Sequence, residues 1–136
     1  MSNTERNVAT IQTIFAAFGK GDVATILANV AEDTMWGFNG GRREVAWHGP
    51  WGGKAGLPGF FQAMGEHLAV SAFEPRAFHA VGDHVFVPLH IAYTVKATGK
   101  RVDEEQVQWW TCDASGKVLR LQHYEDTAQV LAAVAP

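Results

Sequence analysis

The feature that most limits what this chain can fold into is a change of period near its middle. Up to about residue 68 the apolar residues recur at helical spacing. Beyond it, four β-rich runs follow one another across short glycine-containing joints. Val8, Ile11, Ile14, Phe15 and Phe18 mark one face of a first helix, and Ser2 and Glu5 have the spacing of a capping box at its start. Gly19 and Gly21 close it, and Asp22 is placed to cap a second helix striped by Val23, Ile26, Leu27 and Val30. A short strand is expected over Thr34 to Phe38. Residues 39–53 carry Pro50, Trp47, Trp51 and a high density of glycine, which reads as a long loop with room for a short ribbon. A third helix is expected from Lys54 to about Leu68, with Pro58 in its first turn and Leu57, Phe60, Phe61, Met64 and Leu68 facing inward.

The runs at 70–81, 84–95, 102–112 and 117–126 are separated by Gly82-Asp83, Thr98-Gly99 and Ser115-Gly116, which are hairpin joints. Helices first and an antiparallel meander afterwards define an α+β chain. With 136 residues and no linker or repeat, it forms one domain, 1–136.

Composition narrows the functional class. Apolar residues make up 47% and charged residues 18%, a globular balance. A net charge of −3 provides no footprint for nucleic acid or an anionic membrane, and neither partner is expected. No apolar stretch reaches the length of a membrane span, and the N-terminus lacks the pattern of a secretory signal, so a cytoplasmic location is expected. The single cysteine, Cys112, falls in an expected strand and reads as a small buried hydrophobe. Five Trp and eight Phe exceed what so small a core requires and lean towards an apolar cavity.

Side chains alternate along strands, so the turns fix which residues share a face. Centring a hairpin on Thr98-Gly99 sets Leu89 opposite Gln108 and Tyr93 opposite Glu104. A four-residue turn over Asp113 to Gly116 sets Gln108 opposite Leu121, Gln106 opposite His123 and Glu104 opposite Glu125. One face then collects Leu89, Ile91, Tyr93, Glu104, Gln106, Gln108, Trp110, Leu121, His123 and Glu125. The other collects His90, Ala92, Val107, Trp109, Gln122, Tyr124 and Asp126. A core without further purpose does not gather so many polar groups, so the first face is the expected inner wall of a site.

The segments FAAFGKGDVATILANVAEDTMW, GPWGGKAGLPGFFQAM, VKATGKRVDEE and SGKVLRLQHYEDTAQ resemble the SnoaL-like branch of the nuclear transport factor 2-like superfamily. The resemblance covers nearly the whole chain. It implies three N-terminal helices on a strongly curved mixed or antiparallel sheet, a pocket inside the cone, and a homodimer through the sheet's outer face. The superfamily holds ketosteroid isomerase, polyketide cyclases, epoxide hydrolases and dehydratases beside non-catalytic binders and association modules, so fold alone does not name the activity. Where the isomerase carries its first-helix tyrosine, its proton-shuttling aspartate and its protonated sheet aspartate, this chain has Ile14, Phe38 and Gln108. Ile14 and Phe38 cannot transfer protons, and steroid isomerisation is not expected. Where the epoxide hydrolase holds its water with a tyrosine and an asparagine, this chain has Trp36 and Phe38, and its last-strand aspartate aligns with His123.

His123 is the leading candidate for acid–base chemistry, because an imidazole titrates near neutrality. Glu125, two residues on, is its expected charged partner, and cross-strand Gln106 is expected to orient the ring. Gln108 is the expected carbonyl donor. Trp36, Phe38, Tyr93, Trp110, Leu121, Phe15 and Phe61 are the expected ligand-facing walls. His48, His67, His79 and His84 lack the spacing of a metal site, and no metal or cofactor is assigned. Three readings stand: a cofactor-independent isomerase, cyclase, hydratase or lyase acting on an apolar carbonyl compound; a non-catalytic pocket for a small apolar or aromatic ligand; and an association module whose interior is filled by its own side chains.

Overall fold

A computed structural model describes all residues from Met1 to Pro136. Helix α1 (Asn3–Gly19) starts where Ser2 Oγ accepts from the Glu5 backbone N–H at 3.1 Å, and α2 (Val23–Ala28) starts where Asp22 accepts from Thr25 in the same way. Strand β1 (Val30–Phe38) follows at once. The expected strand was therefore too short, and Val30 opens β1 and does not belong to the second helix. A two-residue strand β2 (Trp51–Gly52), a 3-10 turn (Lys54–Gly56) and α3 (Leu57–His67) come next.

The strands β3 (Leu68–Pro75), β4 (His79–Val81), β5 (His84–Val95), β6 (Arg101–Cys112) and β7 (Val118–Tyr124) complete the sheet. The expected single run at 70–81 is two strands. A final helix α4 (Thr127–Val134), capped by Asp126, raises the helix count to four.

The sheet order is β2-β1-β7-β6-β5-β3, with β4 also paired to β5. All neighbours are antiparallel except β1 and β7, which run parallel and bring the two ends of the chain together. The long hairpin β5–β6 is its centre. Helices α1 and α3 cover the inner face, where Ile11, Leu57, Val85, Val87, Leu89 and Val102 are fully buried. Each such side chain contributes about 1.5–3 kcal/mol on leaving water.

Both expected registers are displaced, each by an even number of residues. Leu89 pairs with Gln106, because Val95 and Lys100 close a four-residue loop where a two-residue turn was expected. Gln108 pairs with His123, because the β6–β7 joint is longer by one residue and Leu119 bulges out of β7. An even displacement leaves every side chain on its face. Glu104, Gln106, Gln108, Trp110, Leu121 and His123 are all buried on the inner side.

Candidate functional site

Between the inner face of the sheet and helices α1 and α3 remains a cavity of about 60 Å³. Much of its lining is aromatic. Trp110 meets Trp36 edge-to-face at 5.4 Å and Phe15 at 5.8 Å, and Phe60 and Phe61 close over Trp36 from α3. Its polar lining is formed by Tyr93, Gln106, Gln108, His123 and Glu125. The eleven residues expected to act on or face a ligand all line this one cavity, Phe15 and Phe61 from the helices and the others from the strands and the end of β7. Ile14, the position of the isomerase tyrosine, lines it too.

The partners within this group differ from those expected. His123 is held by β1 and not by Gln106 or Glu125. Its Nδ1 donates to the Gly37 carbonyl at 2.9 Å, and Phe38 lies flat against the ring at 4.0 Å. That bond places the proton on Nδ1 and leaves Nε2 with a lone pair and no protein partner. Burial pushes the imidazole down to about 4, with nearby His48 acting in the same direction, so the ring is neutral at physiological pH.

Gln108 Oε1 accepts from the Trp110 indole N–H at 3.0 Å. This fixes the amide and turns its NH₂ group away from the indole. The Tyr93 hydroxyl, its ionisation opposed by burial and by the Glu125 and Glu104 charges, is a further neutral donor in the wall.

Glu125 lies one residue past the end of β7, and its carboxylate turns to His48. His48 Nε2 donates to Glu125 Oε2 at 2.9 Å, while the Arg42 backbone N–H donates to His48 Nδ1 at 3.1 Å. Both side chains are shielded from water. His48 also stacks on the opposite face of Phe38, at 4.7 Å, so the phenyl ring lies between two imidazoles. From the sequence His48 falls in the loop of residues 39–53 and receives no role in the site. A glycine-rich loop has no period from which burial can be read, and only the neighbouring Trp47 and Trp51 hinted that this loop packs inward. Beneath this group sits Glu104, with one oxygen accepting from the Asp126 N–H at 3.4 Å and the other unpartnered. Burial and the Glu125 charge push it up to about 7. Cys112 is buried, which pushes its thiol up to about 11 and fits a packing role.

No three His, Cys, Asp or Glu side chains are grouped so as to hold a metal ion. No helix is long and apolar enough to cross a membrane.

The fold and the cavity define an α+β protein of the nuclear transport factor 2-like kind. The SnoaL-like domain family matches residues 11–121, and the chain belongs to that family. An NTF2-like protein of Burkholderia xenovorans LB400 is 31% identical, with a TM-score of 0.87 over 97% of this chain and 98% of that one. TerC, crystallised with polyporic acid, is 23% identical and superposes with a TM-score of 0.75 over 95% of this chain and 98% of its own. A candidate polyketide cyclase of Xanthomonas campestris pv. campestris is 22% identical, with a TM-score of 0.75 over 98% of this chain and 100% of that one. At these lower identities the likeness is one of fold. A search of curated protein sequences finds no match.

Proposed function

We propose that the protein takes a small apolar carbonyl compound into its cavity and moves a proton on it without a cofactor. The observation that carries this reading is the cross-strand pair His123 and Gln108, one side chain an acceptor and the other a donor, in a mostly apolar chamber. The Gln108 NH₂ donates to the carbonyl oxygen. A C–H bond beside that carbonyl breaks as the His123 Nε2–H bond forms, and the electron pair moves onto the oxygen. The imidazolium then returns the proton to another atom of the same molecule.

The strength of the base narrows the substrate. A buried imidazole with a value about 4 is a weak base, suited to a C–H acidified by two carbonyl groups. A β-dicarbonyl compound suits such a base, and acetylacetone is its smallest probe. In D₂O the protein accelerates exchange of the central C–H over buffer, and His123→Gln removes the acceleration. Full exchange activity in His123→Gln would falsify the assignment.

A second reading, binding without turnover, is favoured by one observation: Glu125 is engaged by His48, so no carboxylate stabilises the imidazolium. Saturable binding of acetylacetone with no exchange above buffer selects it.

The outer face of the sheet supports homodimer formation as part of the same proposal. Trp109 stacks between Phe86 at 5.4 Å and Tyr124 at 6.4 Å, and Val107 and Tyr124 stand exposed beside them.

A further inference from the structure

The cavity has an apolar neighbour of a different size. A groove of about 360 Å³ lies between α2, α3 and β3, bounded by Val23, Gly65 and Val70. Phe18, Ile26, Phe61, Met64 and Leu68 line both spaces, so the two are separated only by the thickness of those side chains. Phe18 and Phe61 lean together across this partition, with centroids 6.3 Å apart. Phe61 and Met64 are only half-buried on α3, and methionine is the apolar side chain most easily reshaped.

A glycine points to use of the groove. Gly65 stands inside α3, where glycine is about 1 kcal/mol less favourable than alanine. No left-handed backbone requires it, and an added Cβ would meet nothing within 4 Å. What the missing side chain does is leave this edge of the groove open. The cavity, at about 60 Å³, is meanwhile too small to hold more than the reacting end of a substrate.

We infer that cavity and groove are the two halves of one site, joined when Phe61 and Met64 move aside. Its ligand is an elongated molecule with a dicarbonyl head on His123 and Gln108 and an unbranched apolar tail in the groove. This rests on the proposed function for the head and extends it to the tail. The groove walls offer no charged side chain, so the tail is hydrocarbon-like.

Calorimetric titration with acetylacetone and with acetylacetones extended at one end by propyl, hexyl and nonyl chains tests it. Affinity rises about fourfold per added methylene until the groove is filled. In Gly65→Phe, whose ring occupies the groove, the ratio of nonyl to parent affinity collapses towards one. Val70→Asp, at an exposed position on the groove's edge, lowers the same ratio and guards against a folding defect in the first variant. Equal affinity for all chain lengths, or a length dependence untouched by both variants, overturns the bipartite site and leaves the head site standing. Failure of every probe to bind overturns the proposed function and the inference with it.

Discussion

Gln108 stands directly across the β6–β7 ladder from His123, and both side chains end at the same cavity. The imidazole is anchored from β1, with its proton on the Gly37 side. An NMR pH titration will therefore place its midpoint near 4, well below that of a hydrated histidine. The midpoint stays in place in Glu125→Gln, whose carboxylate belongs to His48, and rises in His48→Gln, where a neighbouring imidazole is removed. A midpoint near 6.5 would show the ring to be hydrated.

The His48–Glu125 bond ties the glycine-rich loop to the end of the last strand. Removing His48 leaves a carboxylate buried without its donor. His48→Ala will cost about 3 kcal/mol in denaturant unfolding. Glu125→Gln retains an acceptor for His48 and will cost closer to about 1 kcal/mol. Equal losses in the two variants would mean that the buried charge is not the source of the penalty.

Two buried groups pull the pH dependence of stability in opposite directions. Glu104 is raised from 4.5 to about 7, so its contribution is complete below pH 4.5 and is lost as pH rises through about 7. His123 is lowered from 6.5 to about 4, so its contribution is complete above pH 6.5 and is lost as pH falls through about 4. Between pH 4.5 and 6.5 the slopes oppose, each approaching about 1.4 kcal/mol per pH unit. Relative to the parent, Glu104→Gln will lose stability more steeply on acidification, and His123→Gln will gain it. Thermal unfolding across this window reads both, and parallel curves for all three proteins would refute the opposition.

Sedimentation at micromolar concentration will give a dimer, and Trp109→Arg will give a folded monomer. The arginine places a charge at the centre of the aromatic stripe. A parent protein that sediments as a monomer removes the outer-face contact from the proposal.

The inner wall was legible because alternation in β5, β6 and β7 survives any register error of even length. Leu89 could be matched to the wrong partner and still be placed on the correct face. The partners of His123 were not legible. They come from β1, whose parallel alignment with β7 has no turn to announce it. Helix α4 was missed because Thr127–Val134 follows the last strand without a break, leaving only Asp126 as a sign of its start. His48 was out of reach because its burial depends on a loop whose course no periodicity describes.

The parallel pairing of β1 with β7 also bears on the order of events as the chain folds. The β5–β6–β7 meander closes through short loops, whereas Gly37 must find His123 across 86 residues of chain. Contacts of that span carry the greatest closure entropy and reward it late. His123 thus receives its orienting carbonyl and its phenyl cover late, after the locally closed hairpins and helices. On this order the imidazole stays unheld until β1 docks beside β7, so the geometry of the cavity's polar residues is completed with the fold itself.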